Sequence, residues 1–373
     1  MNFCTLRQIM QCYMGNPRLT KGEFMRISRL CLWLSLALSI FFAGLTQAAV
    51  VVTHPYRGVI YIARTETSPR AVNMHIVQID LTDPGISFKL TSPGGTRDTI
   101  RQTTLDYLNQ ENAQVAINCH FFLPVSSDTN VNLTGLAASQ GNIYSPFEPQ
   151  PIAAGYTDQS YAILPYAPAL NINANNHAGI VHRDSSYSDN KHVLEPMTLW
   201  NAVSGSAQIV TNGVKTIPTY SGTPNGLNPL NGYSDSCSWY SLTNKARTAI
   251  GLTQDNNTLV LFTVDAAGGS IGMAVGEVAD LLISDYHVYN AMNLDGGGST
   301  TLAMKDPFTH LGQIMNVSAD NSLGRAVGSN LSVFAALVTA DLNTVTLFPM
   351  RSQYKFGGDF CNSITGPCAT PFW

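Results

Sequence analysis

Three consecutive glycines, Gly296-Gly297-Gly298, follow an apolar run, Tyr289-Asn290-Ala291-Met292-Asn293-Leu294, and a single acidic residue, Asp295. No other feature limits the fold as strongly. Glycine buries no side chain and loses the most backbone freedom on ordering, so a triplet continues a strand or helix poorly and marks a change of direction. The apolar run predicts a short buried strand, which places Asp295 at a strand end. Ser299, Thr300 and Thr301 then supply a row of hydroxyls. Two readings fit this arrangement. One is a tight turn with positive φ angles. The other is a backbone left bare so that a ligand can touch its N–H groups, which bind anionic oxygens.

The chain before this turn is rich in strand signals. Residues 59–63 and 74–80 alternate or run apolar, and Asp83-Pro84-Gly85 reads as a turn. Thr103 is placed to cap a helix running to about Asn109, and residues 115–118 read as a buried strand. Residues 123–200 are rich in Ser, Asn, Pro and Gly, and are expected to be excursions that shape a surface around short strands such as 161–164. Asn212-Gly213 and Asp255-Asn256-Asn257 mark hairpins. Residues 276–283 form an amphipathic helix, with Glu277 in its first turn, that leads into the glycine segment. Residues 331–337 are a late core strand. The expected class is α+β: mixed, largely antiparallel sheets with a few packed helices.

The first fifty residues have a different character. Arg26 and Arg29 precede an apolar stretch over residues 30–45, and small residues follow at Ala48-Ala49. This is the pattern of a secretory signal peptide cleaved after Ala48, with residues 1–24 an over-extended start before Met25; an uncleaved anchor is the competing reading. Residues 1–48 carry five of the 20 basic and one of the 24 acidic residues, leaving 15 against 23, a net charge of −8. That balance opposes nucleic-acid binding, which needs a basic footprint. The mature protein is expected outside the cytoplasm, periplasmic or extracellular, with no membrane attachment after cleavage. Cys4, Cys12 and Cys31 fall in the leader. Cys119, Cys237, Cys361 and Cys368 remain, and an even count in an exported chain suggests disulfides. Cys361–Cys368 is the favoured pair, with Cys119–Cys237 open. No CxxC or HExxH pattern points to zinc.

Five segments, taken in order, resemble the phosphodiester glycosidase family, which includes the lysosomal uncovering enzyme that removes N-acetylglucosamine from a phosphodiester and many exported bacterial proteins linked to exopolysaccharide. They are Ala116-Ile117-Asn118-Cys119-His120-Phe121-Phe122, residues 202–213, Arg247-Thr248-Ala249-Ile250-Gly251, Asn293 to Thr301, and Gly324-Arg325-Ala326-Val327 onward to Phe334. The resemblance divides the chain into a leader (1–48), a β-rich N-terminal part (49–111), a phosphodiester glycosidase-like domain (112–337) and a C-terminal tail (338–373). Cys119 and His120 stand where the family has two glycines, implying a reshaped pocket wall. Gly324 stands where an acidic residue is usual.

The resemblance implies hydrolysis of a sugar–phosphate diester at the anomeric carbon, within a polysaccharide or envelope glycan. That reaction needs the phosphate neutralised, a proton moved and a cationic sugar stabilised. Arg247 and Arg325 suit a phosphate clamp, because guanidinium binds phosphate oxygens in a planar fork; surface ion pairing is their plain alternative. The N–H groups of Gly296, Gly297 and Gly298 would add an anion nest. Asp295 is the leading general base or nucleophile, against simple turn capping. Asp265, at another strand end, is the second carboxylate that glycosidases use, against a purely structural role. Asn118, Asn293, Ser299 and Thr300 are candidates to hold sugar or phosphate oxygens, and His120 to titrate nearby. Ser299 lies in no nucleophile elbow, and the glycines lack the Lys-Ser/Thr of a P-loop. No cofactor is expected, although a divalent cation on Asp295 is compatible with the sequence. Oligomeric state is left open. A non-catalytic glycan-binding protein of exopolysaccharide assembly, using the same pocket, is the alternative, and a glycosidase on ordinary glycosidic bonds is a third reading.

Overall fold

The structure, a computed structural model, describes residues 48–124, 128–149, 164–217 and 244–338. All of these except Val338 belong to one compact unit, Met1–Leu337. The expected signal peptide, the expected disulfide cysteines Cys237, Cys361 and Cys368, and residues 161–163 of an expected strand lie outside the described residues. No helix among the described residues is long and apolar enough to cross a membrane.

Long apolar strands dictate the centre of the fold. An eight-stranded antiparallel sheet runs, in spatial order, Ala49–Tyr56, Val59–Glu66, Val72–Asp80, Thr258–Val264, Arg247–Thr253, Val288–Asn293, Ala207–Thr211 and Val214–Lys215. Its central strands read as nearly unbroken apolar runs because both faces are covered. Val77, Ile79, Leu259, Leu261, Ile250 and Met292 point into one core, whereas Met74, Ile76, Val260, Phe262 and Ala249 point into another. This is the period-2 alternation of a pleated strand with apolar residues at both phases.

The first core is closed by a five-stranded antiparallel sheet in the order Gly312–Ile314, Leu302–Lys305, Val115–Asn118, Asn330–Phe334 and Ser87–Leu90. The second is closed by the helix Val275–Tyr286 through Val278, Leu281 and Leu282. Glu277 accepts from the Ala274 N–H (2.8 Å), satisfying a donor at the helix start, and His287 (φ 53°) ends the helix. The other helix, Thr104–Glu111, is capped by the Thr103 hydroxyl, which accepts from the Asp106 N–H (3.1 Å).

The largely antiparallel sheets are as expected, but helix is scarcer than an α+β class implies: the described residues contain only these two α-helices, and the protein is strongly β-rich. The Ser/Asn/Pro/Gly-rich region is more than surface excursions. Four of its strands join Asn201–Ser204 in a five-stranded antiparallel sheet, in the order Asn142–Ser145, Ala137–Ser139, Asn201–Ser204, Ala169–Ile172 and Ala178–Val181. Its small core of Leu136, Ala138, Phe147, Ala169, Val181 and Ala202 is too sparse in large side chains to announce itself as apolar periodicity.

Candidate active site

The glycine segment is the crossover between the two main sheets. Asn293 ends the sixth strand of the large sheet, and Leu302 opens a strand that pairs with Val115–Asn118 in the second. Between them the chain forms a single 3₁₀ turn, Gly297–Ser299, with Gly297 at φ 60°. The space around an added Cβ at Gly297 is open, so the left-handed backbone conformation is what calls for glycine there.

Asn118 clasps the crossover. Its amide donates to the Asp295 carbonyl (2.7 Å), and its side-chain oxygen accepts from the Thr301 N–H and the Thr248 hydroxyl (both 3.0 Å). The backbone adds a bond from the Asp295 N–H to the Cys119 carbonyl (2.9 Å). Both ends of the turn are therefore tied to the strand end at residues 118–119. Thr300, fully buried, lies within 3.3 Å of the Thr248 hydroxyl.

The Asp295 carboxyl faces Ser299, the Gly296 N–H and the positive charge of Arg325, all of which favour its ionised form. Burial outweighs them and raises its pKa from the ordinary 3.8 to about 7. Arg325 reaches the same place: it donates to the Ser299 hydroxyl (3.4 Å), pairs with Asp320 (3.1 Å) and lies against Gly298, where any Cβ would collide with its guanidinium. Glycine at 298 thus makes room for an arginine. At Gly324 (φ 76°) an added Cβ would press on the Thr301 hydroxyl (3.1 Å), so glycine replaces the family's usual acidic residue on steric grounds as well.

Other expected residues lie nearby with partners of their own. The Arg247 side chain is buried and donates through Nε to the Met273 carbonyl (3.0 Å), although its main chain passes directly behind Gly296. Asp265 is fully buried. Its oxygens accept from the Asn316 amide (3.1 Å) and the Val317 N–H (3.0 Å), with His75 at 3.6 Å. The link from Asp265 to the turn is indirect, since Asn316 also donates to the Thr300 carbonyl (3.1 Å) and accepts from the Leu302 N–H (2.8 Å). Asn293 donates to Ser206 (2.8 Å), and its side-chain oxygen is buried without a partner. Of the amides expected to form an anion nest, that of Gly296 faces the Asp295 carboxylate and that of Gly297 is taken by the Ala246 carbonyl (2.8 Å).

The two residues that replace family glycines point into the interior rather than lining a pocket wall. Cys119 is a free, buried thiol, and burial raises its pKa. His120 contacts the Ser329 hydroxyl (2.7 Å), the Leu136 carbonyl (3.0 Å) and the Ser204 N–H (3.0 Å). A donor and an acceptor at one ring nitrogen cannot both be served by one tautomer. Either tautomer is neutral, because burial lowers the His120 pKa to about 4. Among the described residues no three His, Cys, Asp or Glu side chains are grouped to hold a metal.

Sequence reasoning missed Asn316 and Thr248, which bond to residues distant in the chain, a relation no local pattern encodes.

Comparison with known proteins agrees with this architecture. The chain is similar in structure to the catalytic domain of zebrafish N-acetylglucosamine-1-phosphodiester alpha-N-acetylglucosaminidase, with TM-score 0.50 and 19% identity over 77% of this chain and 83% of that one. It is also similar to a hypothetical protein from Synechocystis, with TM-score 0.49 and 17% identity over 78% of this chain and 64% of that one. At 19% identity the likeness to the zebrafish enzyme is one of fold. No curated protein matches the chain. The sequence model of the phosphodiester glycosidase family matches residues 112–334, which span every element of the site from Asn118 to Arg325. The chain belongs to the phosphodiester glycosidase family.

Proposed function

We propose that the protein is an exported hydrolase that cleaves the bond between an anomeric carbon and phosphate in a glycosyl-1-phosphodiester of a polysaccharide or envelope glycan. The observation that carries this reading is the Asp295 carboxyl, raised to about 7 on a glycine turn that also holds Arg325. A group divided between its two protonation states near neutral pH is suited to proton transfer. An arginine beside it is suited to a phosphate oxygen.

In this mechanism Asp295, ionised, takes a proton from a water molecule whose oxygen bonds to the anomeric carbon. The carbon–oxygen bond to phosphate breaks, and its electron pair goes to the phosphate. Arg325, with Ser299, offsets the charge that develops there, so no strong general acid is needed for so good a leaving group. Asp265 acts at one remove: it holds Asn316, which fixes the Thr300 carbonyl and the Leu302 N–H at the exit of the turn. Asn118 fixes the entrance. Export is supported by the basic and apolar pattern of residues 26–49.

The test is release of free sugar from a panel of glycosyl phosphodiesters, with Asp295→Asn as the control. Turnover by the native protein, lost in Asp295→Asn while phosphate still binds, supports the reading. Binding of phosphodiester glycans without turnover by either protein would overturn it in favour of a glycan-binding protein.

A further inference from the structure

We propose that Asp320 is a charge filter on Arg325, one that admits the single negative charge of a phosphodiester and disfavours the double charge of a phosphomonoester. This rests on the phosphodiester reading above and assigns its selectivity to a named residue.

Both side chains converge on Gly298. A Cβ added there would lie 3.2 Å from the Asp320 Cβ and 2.8 Å from the Arg325 guanidinium carbon, with Arg325 Nη2 closer still. Arg325 donates through Nε to Asp320 Oδ2 (3.1 Å) and through Nη1 to the Ser299 hydroxyl (3.4 Å). Its third donor nitrogen, Nη2, lies over Gly298 in the turn that follows Asp295. Both side chains are partly open to solvent, so a ligand can reach them. An anion that takes Nη2 therefore meets a carboxylate already bonded to the same guanidinium. That carboxylate sits on a tied segment. The Val317 N–H donates to Asp265 (3.0 Å), the Asp320 N–H to the Ser318 hydroxyl (3.2 Å) and the Gly324 N–H to the Asn321 carbonyl (3.0 Å). Buried Asp265 thus anchors the stretch of chain that delivers Asp320.

Charge counting gives this contact its meaning. Arg325 is ion-paired with Asp320, and its charge also favours the ionised form of Asp295. One cation thus serves two carboxyl groups before any ligand arrives. Repulsion between a fixed carboxylate and a ligand grows in proportion to the ligand's charge. A phosphodiester carries one negative charge near neutral pH, whereas a phosphomonoester carries close to two, because its second ionisation falls at about pH 6. Hydrolysis of a glycosyl phosphodiester turns the first kind of anion into the second: the water oxygen bonds to the anomeric carbon, its proton passes to Asp295, and the phosphate departs as a monoester with the electron pair of the broken carbon–oxygen bond. Asp320 therefore opposes the product more strongly than the substrate, which favours release after each turnover.

The experiment titrates dimethyl phosphate, with one charge, and methyl phosphate, with two, into the full chain by calorimetry at pH 8 and low salt. The native protein is compared with Asp320→Asn, and with Asp320→Ser if thermal melts show that the first variant does not fold. Removing the carboxylate charge should tighten dimethyl phosphate about threefold and methyl phosphate about tenfold, since the electrostatic gain doubles with ligand charge. A gain for methyl phosphate no larger than that for dimethyl phosphate overturns the proposal, whether both gain, neither changes or both weaken. Native protein and variants that bind neither probe overturn it as well. Turnover of glycosyl phosphodiesters with an unmoved ratio of the two constants would remove the filter and leave the hydrolase reading. A moved ratio with no diester turned over would do the reverse.

Discussion

Asp295→Asn should stabilise the protein, and should do so only where the pH is high enough. The folded state raises the Asp295 pKa from 3.8 to about 7, so between those values it holds a proton that the unfolded chain has released. Stability therefore falls as pH rises through that window. A shift of about three units corresponds to about 4 kcal/mol, at about 1.4 kcal/mol per unit. That figure is a ceiling, because the residue keeps partial contact with water. Asparagine preserves the shape, can accept from the Gly296 N–H and can donate to the Ser299 hydroxyl, so it removes the cost of the buried charge without orphaning its neighbours. It forfeits the attraction to Arg325, which trims the gain. Urea unfolding of both proteins at pH 4, 5.5, 7 and 8 measures the difference directly. The variant's advantage should be near its minimum at pH 4, grow steeply to about pH 7 and then level off. It should appear as a melting-temperature increase of a few degrees at pH 8, at about 1–2 °C per kcal/mol for a chain of this size. A difference that is flat across pH, or one in which the native protein gains on the variant as pH rises, would refute the claim that burial controls this carboxyl.

Replacing Arg325 by Gln removes a charge that lowers the Asp295 pKa, so the rising limb of kcat/KM against pH should move to higher pH, with activity down by about a hundredfold; an unmoved limb would break the link between them. Asn118→Ala strips three bonds from the crossover and leaves the Thr301 N–H and the Asp295 carbonyl without their buried partner, so urea unfolding should report a loss of about 3 kcal/mol or more. Gly298→Ala meets chiefly the mobile end of Arg325, with the Asp320 Cβ at 3.2 Å, so its melting temperature should fall far less than that of Gly205→Ala, which meets the Asn293 backbone carbonyl and should impair folding itself, while activity drops in Gly298→Ala. His120 behaves oppositely to Asp295. Its pKa falls to about 4 in the folded state, so stability should be lost as pH drops from about 6.5 toward 4, by about 3 kcal/mol, and His120→Gln should remove that slope from acid-unfolding curves.

Local elements were readable because their causes are local. Residues 115–118 form the expected strand, Thr103 caps the expected helix, and Asn212 (φ 53°) with Gly213 (φ 75°) makes the hairpin turn that the dipeptide announces. Pairing between distant strands was not readable. Val72–Asp80 and Thr258–Val264 are hydrogen-bonded neighbours far apart in sequence, and nothing in either run names the other. The site divides along the same line. Asp295 and its glycines stand out because they are contiguous and chemically odd. Arg325 suits a phosphate ligand by its residue type and its place in the family-like motif, and its position beside Gly298 emerges only when the crossover is folded. Arg247 had the same credentials in sequence, but its side chain turns inward to the Met273 carbonyl. Guanidinium chemistry was legible in both arginines; the direction in which each points was not.

The crossover explains why one short segment carries so much. A chain leaving the centre of one buried sheet for another must expose backbone groups where neither sheet can pair them. Here Asn118 and Asn316 supply the missing partners, and the Thr248 hydroxyl in turn holds Asn118. Those bonds fix the turn tightly enough that a carboxyl can be held at its start against the cost of burial. A freer loop would let Asp295 swing into water and return to an ordinary carboxylate pKa, losing the proton affinity near pH 7 that makes it useful. The same rigidity keeps Gly298 open for Arg325, since any side chain there would push the cation from Ser299. Stability surrendered at Asp295 is therefore coupled to order elsewhere in the crossover. Loosening the Asn118 clasp should then lower the Asp295 pKa as well as the unfolding free energy, an effect that substitutions on the far face of the large sheet should not reproduce.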